Sequence, residues 1–322
     1  MADNKTAIGS AVVLLEITDA HAGQRIDNFL IRELKGVPKS RVYRLLRKGE
    51  VRVNKSRIKA EYKLCEGDVV RIPPVRMTEQ GTGSPVSDGL QQLLEQAIVY
   101  EDEQLMVVNK PSGLAVHGGS GINLGLIEAL RKMRPQERFL ELVHRLDRDT
   151  SGCVMVAKKR SMLRYLHEQL RIGTIDKRYL ALVVGRWPNR RHVVNAPLVK
   201  NILQSGERMV HVAEAGKRSV TEFSVVERYQ GATLLEAKPI TGRTHQIRVH
   251  AKHAGHPLLG DDKYGDKEAD AQFKAFGLKR LFLHAVRLHI PMPDDTPDVQ
   301  VEAPLAADLK MLLDALATER GE

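Results

Sequence analysis

The chain has 322 residues, a formal net charge of +10, a hydrophobic fraction of 42% and a charged fraction of 28%. That is the make-up of a globular protein of one large or two domains whose surplus of cations points to a polyanionic partner. Its two cysteines, Cys65 and Cys153, exclude a disulfide framework, no apolar run approaches the roughly 20 residues of a membrane span, and the apolar stretch at 11–15 is too short for a signal core, so a cytoplasmic protein is expected.

Residues 1–10 read as a disordered lead and 12–18 as a strand, which sets residues 1–21 apart from the first domain. Between 22 and 76, fifteen Lys/Arg stand against six Asp/Glu, a net of +9, so nearly all the surplus charge lies in this stretch. Within it Ile26, Phe29, Leu30 and Leu34 make a helical stripe that Gly36 and Pro38 end. Ser40 is a suitable N-cap for a second helix closed by Gly49. Its apolar side is Val42, Tyr43, Leu45 and Leu46, and its basic side is Lys39, Arg41, Arg44, Arg47 and Lys48. Two short strands at 51–54 and 67–72 follow. Two helices and a small basic β-unit suit contact with a phosphate backbone, and those five cations are the candidate contacts. From 77 to 95 the chain carries Gly81, Gly83, Ser84, Pro85, Ser87 and Gly89 and reads as a flexible linker.

The second domain is expected over 96–322. Strand signals fall at 98–100, 105–110, 154–157, 179–184, 220–227, 233–239 and 281–284. Helical stretches fall at 125–133, 161–171, 246–253 and 306–318. Few helices among many strands indicate an α+β fold with a mixed, largely antiparallel sheet rather than regular βαβ repetition.

Neither a phosphate-binding P-loop nor a Gly-x-Gly-x-x-Gly motif occurs, so no nucleotide cofactor is expected. His117-Gly118-Gly119-Ser120-Gly121 lacks the Gly-x-Ser-x-Gly elbow that an esterase would add. Four histidines, His245, His250, His253 and His256, suggest a metal, but only His250 and His253 share a helical face. Arg243, Arg248 and Lys252 among them would repel a divalent cation, so no metal is expected and the helix reads instead as a cationic surface facing phosphate.

The densest charge is His144-Arg145-Leu146-Asp147-Arg148-Asp149-Thr150-Ser151-Gly152, set between an apolar approach at 139–143 and a β-branched run at 153–157. Charged groups beside a core cost free energy unless paired, which points to chemistry. Asp149-Thr150 with Gly152 reads as a turn in which the Asp149 carboxylate bonds backbone amides two residues on. That leaves Asp147 as the catalytic candidate, kept ionised by neighbouring guanidiniums. A single carboxylate does not suit glycoside hydrolysis, which normally uses two. The alternative is that the cluster only anchors phosphates, in a non-catalytic RNA-binding assembly factor.

Residues 144–152 resemble the signature of the RluA-type pseudouridine synthases. Asn109-Lys110-Pro111-Ser112-Gly113 with Val116-His117, Lys177-Arg178-Tyr179-Leu180-Ala181 and Thr241-Gly242-Arg243-Thr244-His245-Gln246-Ile247-Arg248-Val249-His250 agree in order. Arg25-Ile26-Asp27, residues 48–55 and Gly67-Asp68 resemble an S4-type RNA-binding domain. The resemblance spans about residues 22–305. It implies a small S4-like domain followed by a pseudouridine synthase catalytic domain, without metal or cofactor, isomerising specific uridines of 23S (large-subunit) ribosomal RNA as a monomer. It also implies roles. Asp147 would be the nucleophile. Tyr179, which on its own reads as strand core, would stack on the uracil and serve the proton step. Arg243 would ion-pair with Asp147, with Arg248 as second choice. Arg145 would fill the space left by a flipped base.

Overall fold

The computed structural model describes residues 11–18, 21–34, 37–75, 86–118, 124–189, 193–202, 208–294 and 296–318. Its fold divides the chain into two compact units, Met1–Ser84 and Pro85–Glu322.

The first unit runs β1 (Val13–Glu16), α1 (Ile26–Glu33), α2 (Lys39–Lys48), β2 (Arg52–Val53) and β3 (Val69–Ile72), with an antiparallel sheet in the order β1-β3-β2. The stripes expected of the two helices are buried at Ile26, Phe29 and Leu30 with Leu34, and at Val42, Leu45 and Leu46, whereas Tyr43, expected on the apolar side, is exposed. They belong to a cluster of fifteen buried apolar side chains, each worth roughly 1.5–3 kcal/mol on burial, which gives this small unit a core of its own. β1 pairs with β3 along its whole length, from Val13↔Ile72 to Glu16↔Val69. The strand expected as part of a separate lead is therefore an edge of this sheet; residues 1–10 lie outside the described ones.

Two buried carboxylates brace the unit. Asp27 accepts from Arg25 Nε and Nη2 at 3.1 and 2.6 Å, from the Asn28 amide and from the Tyr43 hydroxyl, which pins α2 to α1. Asp68 accepts from Asn54 Nδ2, Tyr62 and the Cys65 amide. Asn54 and Lys55, at φ 50° and 66°, turn the chain back after β2. With its apolar side committed, α2 leaves Lys39, Arg44, Arg47 and Lys48 exposed and Arg41 half-buried.

The second unit opens with α3 (Asp88–Gln96), where the sequence suggested the end of a linker. Ser87 is its N-cap, accepting the Leu90 amide, Gly89 lies in the first turn and Leu94 is fully buried. Serine and glycine were thus serving a helix start, where both are well tolerated; residues 76–85 are outside the described ones. The chain continues through β4 (Ile98–Glu101), β5 (Leu105–Lys110), α4 (Leu126–Met133), β6 (Glu141–Leu142), β7 (Ser151–Ala157), α5 (Arg160–Ile172) and β8 (Asp176–Val184). β9 (Val193–Asn195), β10 (Leu198–Ile202), β11 (Arg208–Val212), β12 (Val220–Tyr229), β13 (Ala232–Pro239), α6 (Gln246–His253), α7 (Lys267–Phe273), β14 (Leu283–Ile290), β15 (Val299–Glu302) and α8 (Ala307–Thr318) complete it.

Ten strands form one mixed sheet along the path β4-β5-β7-β14-β8-β13-β12-β9, with β15 on β14 and β6 on β7; β10 and β11 make a separate hairpin. Every pairing is antiparallel except β14 with β7. Alternation along the strands feeds a core on each face. Ala181 and Val183 of β8 and Leu235 of β13 join the larger one, while Leu182 and Leu234 join α8's Leu309, Leu312 and Leu316. No helix among the described residues is long and apolar enough to cross a membrane.

The edge of β7 opposite β5 is shared. β14 pairs with its start, at Ser151 and Gly152, and β6 with its end, at Val156 and Ala157. Between them the signature loop, residues 143–150, leaves the sheet. Gly152 is fixed by this crossing: its φ is +107°, and a Cβ there would lie 2.3 Å from the Ala285 carbonyl oxygen and 2.5 Å from its nitrogen. Gly152→Ala is expected to destabilise the protein by roughly 2–4 kcal/mol through strain and overpacking, read as a lowered urea midpoint.

Candidate active site

The signature loop is held by its backbone. The Val143 amide donates to the Met155 carbonyl at 3.0 Å, and the Met155 amide donates to His144 Nε2 at 3.1 Å, so an imidazole fills a gap in the ladder. Burial drives the His144 pKa down to about 3, which keeps that acceptor nitrogen unprotonated. Leu146 is buried as an anchor, and the Thr150 amide closes a turn on the Asp147 carbonyl at 3.2 Å. From the other side, the Gly113 amide donates to the Arg148 carbonyl and Ser112 Oγ to the Asp149 carbonyl. Lys110 is fully buried, with Nζ donating to the carbonyls of Pro111, Leu114 and Arg148 at 2.8, 2.8 and 3.0 Å. Burial pulls its pKa down to about 7, opposed by the charges of Asp149 and Asp147. The Asp149 carboxylate is not the turn acceptor that the sequence suggested. It is half-exposed against Arg148 Nε at 3.2 Å, because main-chain bonds already close the turn.

Asp147 stands at the loop's apex, one-fifth exposed, and Arg248 Nη1 lies 3.2 Å from its Oδ2. The partner expected first, Arg243, is exposed and donates its Nε to the Arg218 carbonyl at 3.2 Å. The reason lies in the turn before α6. Gln246 is buried and accepts from Thr241 Oγ1 and the Arg243 amide, while its Nε2 donates to the Val220 carbonyl and Thr221 Oγ1. That clamp fixes Arg243 on the rim and turns the first turns of α6 inward, Arg248 included. α6 is accordingly no phosphate-facing surface: residues 246–251 are all buried.

Arg248 reaches Asp147 from a second carboxylate that sequence reasoning missed. Asp261 takes its Nε and Nη2 at 2.7 and 2.6 Å, and also accepts the Lys263 and Tyr264 amides at 3.0 Å each. The guanidinium lies over the Tyr264 ring, 5.0 Å from its centre. Burial alone would lower the Arg248 pKa, but Asp261 and then Asp147 outweigh it and the net shift is upward. Burial likewise works against ionised Asp261, and Arg248 reverses the sign, holding it below the usual carboxylate range. The signal was the turn Gly260-Asp261-Asp262-Lys263-Tyr264-Gly265, dense in polar residues and passed over because nothing in one dimension links it to position 147.

The four histidines part company. His245 faces Asp147, with Nε2 3.7 Å from Oδ2. His250 is buried between Thr221 Oγ1 and the Ala196 carbonyl, His256 bonds the Val184 carbonyl, and His253 is exposed. Among the described residues no group of three or more His, Cys, Asp or Glu is placed to hold a metal ion.

Asp147 opens into a cleft of about 880 Å³ that also takes in Arg145, Tyr179, Arg243 and Arg248. It is the only carboxylate among the described lining residues, whereas Arg145, Arg171, Lys177, Arg218, Lys238, Arg243 and Arg248 are all cations. Such a cleft suits a polyanion and offers it one carboxylate among the described lining residues. Arg145 is exposed. Tyr179, on β8 opposite Ala285 and Ala237, is buried. Burial, then the charge of Asp147, pushes its pKa up, so its hydroxyl stays protonated. Lys177, two residues before it on the same strand, has its pKa lowered by burial, with Asp176 opposing. Lys39, Arg41, Arg44, Arg47 and Lys48 belong to the first unit.

Residues 104–253 match the model of the RNA pseudouridylate synthase family, and residues 24–70 match that of the S4 domain. The chain is 58% identical over 319 residues to "Ribosomal large subunit pseudouridine synthase C" of Pasteurella multocida (strain Pm70), covering 98% of each protein. The chain belongs to the RNA pseudouridylate synthase family. The protein of the same name from Escherichia coli (strain K12) is also 58% identical, over 96% of this chain and 98% of that one. Among solved structures, the human RNA Pseudouridylate Synthase Domain Containing 4 superposes with a TM-score of 0.60 at 28% identity, over 71% of this chain and 96% of the other. This pseudouridine synthase is an isomerase, with an S4 domain ahead of its catalytic domain.

Breaking the Arg248–Asp261 pair should leave a buried cation short of an acceptor. Asp261→Asn is expected to cost about 3–5 kcal/mol of stability and to lower kcat as Arg248 loses its aim. The sign with pH follows from the lowered pKa: the carboxylate's contribution is complete above the unfolded value of about 3.9 and is lost as pH falls through the folded value. Urea titrations at neutral pH and below about pH 4 should show that loss in the wild type and a shallower one in the variant.

Proposed function

We propose that the enzyme converts specific uridines of large-subunit ribosomal RNA to pseudouridine, with Asp147 as the nucleophile. One observation carries the reading: the only carboxylate among the described lining residues, held by a buried arginine, shares its cleft with seven Arg and Lys side chains. The name carried by relatives 58% identical over almost the whole chain supports the choice of RNA. RNA in the cytoplasm suits so basic a chain as substrate, and the reaction, an isomerisation, exchanges no atoms or electrons with a co-substrate. The N1–C1′ bond breaks, the uracil turns and C5 bonds to C1′; C5 gives up a proton and N1 gains one.

A uridine within a stack is out of reach of Asp147, so the base is flipped at a cost of a few kcal/mol recovered from protein contacts. Arg145, exposed at the cleft, fills the space that the base leaves. Tyr179 stacks on the uracil. Its protonated hydroxyl serves the proton step as a relay, donating as it accepts, because burial and Asp147 both oppose a phenolate. Arg248 orients Asp147, and Arg243, on the rim, meets phosphate instead. Lys39, Arg41, Arg44, Arg47 and Lys48 supply the RNA contacts of the first unit.

Asp147→Asn is expected to reduce pseudouridine formation on ribosomal RNA by roughly a thousandfold or more while RNA affinity stays near wild type. Pseudouridine mapped at wild-type levels with this variant would defeat the assignment and return the protein to the class of non-catalytic assembly factors. Replacing Arg44, Arg47 and Lys48 together with alanine should weaken RNA binding and flatten the slope of log K against log salt by roughly one unit for each phosphate no longer neutralised. An unchanged slope would remove α2 from the RNA interface.

A further inference from the structure

His245 occupies a backbone conformation that side chains rarely adopt, φ 53° and ψ 20°, just before α6. A residue other than glycine stays in the left-handed region only where its surroundings impose it, and such positions gather at functional sites. Helix capping does not explain it, since the side chain makes no cap bond and Gln246 already ties the turn. The ring is committed elsewhere. Nδ1 lies 2.7 Å from the Tyr264 hydroxyl, with the two rings edge to face at 5.5 Å.

Proton bookkeeping fixes the tautomer. The Tyr264 oxygen accepts the Val210 amide at 2.9 Å, and among the described residues the acceptor left for its buried hydrogen is His245 Nδ1. An imidazole that accepts at Nδ1 carries its hydrogen on Nε2, the nitrogen 3.7 Å from Asp147 Oδ2. Burial lowers the His245 pKa, with the charge of Asp147 opposing, which favours the neutral ring. Arg248 Nη1 meets the same oxygen at 3.2 Å. Two donors therefore face Oδ2, and among the described residues no hydrogen bond reaches Oδ1.

We propose that His245 is a positioning residue: with its tautomer set by Tyr264, it joins Arg248 in holding Oδ2 of Asp147, so that Oδ1 is the oxygen presented to the uridine. The proposal rests on Asp147 being the reacting carboxylate. The 3.7 Å separation is one that tightens to a hydrogen bond when substrate fills the cleft, as interactions of catalytic groups commonly do. Tyr264 acts one step further back. It orients the imidazole and packs against Arg248, so one aromatic ring aligns both donors.

The test measures kcat and KM for pseudouridine formation on a ribosomal RNA fragment, using the full-length protein and His245→Ala, His245→Gln and Tyr264→Phe, with Asp147→Asn as reference. Glutamine can place an amide N–H near the position of Nε2; alanine cannot. His245→Ala is expected to lower kcat about tenfold to a hundredfold with KM changed less than about twofold, and His245→Gln to recover most of the loss. Tyr264→Phe keeps the ring and frees the imidazole to put its hydrogen on Nδ1, so its kcat should also fall, even if an alanine at 245 unfolds the protein. A wild-type kcat in both His245→Ala and Tyr264→Phe, or losses confined to KM, would overturn the positioning role alone when Asp147→Asn is inactive. An active Asp147→Asn would overturn the reading of Asp147 itself.

Discussion

Arg248 is 5% exposed and lies between two carboxylates, and the charge balance of the active site follows from how unequally it serves them. Asp261 meets it with two oxygens and is itself fully buried, so cation and anion cancel where neither can be hydrated. Asp147 receives a single nitrogen at 3.2 Å. It is therefore oriented by a guanidinium whose charge is already spent on another partner. The group of three keeps a net negative charge, and that charge stands at the floor of a cleft whose other charged walls are positive. A carboxylate paired one-to-one with an arginine would have its charge cancelled; one aligned by an already neutralised arginine keeps it.

Much of this was legible in the chain. The helical stripe of Ile26, Phe29, Leu30 and Leu34, the uniformly apolar β7 and the alternation along β8 and β13 follow from burial of one face or two, which a one-dimensional pattern records. The signature loop stood out because so many charges between two apolar runs need a reason. What the sequence could not carry was pairing across distance. Arg243 and Arg248 lie one helical turn and a bend apart, and the choice between them depends on Gln246 clamping the turn and on Asp261 waiting opposite. His245 drew notice only as one of four histidines, a grouping that the helix disperses to a cleft, a buried polar pair, a carbonyl and the surface. Composition points Asp149 to a turn role, but the amides of Gly113 and Thr150 and the hydroxyl of Ser112 already close the loop on its main-chain carbonyls. Ser87 and Gly89 misled in the same manner, since residues that favour linkers also favour helix starts.

The two units divide the electrostatic labour by range. α2 spends its apolar side on the core and leaves a row of hydrated cations, whose attraction for phosphate reaches about a Debye length and falls with salt. The catalytic unit works at contact distance, with its decisive charges largely out of water and hence little screened. Binding and chemistry are accordingly expected to answer differently to ionic strength, the first steeply and the second weakly.

The parallel pairing of β7 with β14 bears on the order in which the enzyme comes into being. Ser151 and His284, hydrogen-bonded at 2.9 Å, are 133 residues apart, and Asp147 and Arg248 are 101 apart. Pairings of such sequence separation form late, because the entropy of closing the loop must be met before the pairing rewards it. A chain emerging from the ribosome thus has its signature loop early but neither the strand that shapes the loop's exit nor the arginine that aims its carboxylate. The S4 unit, whose described pairings all close between Val13 and Ile72, can be basic and folded while the catalytic centre is still unmade. The protein gains its hold on RNA before it gains its chemistry.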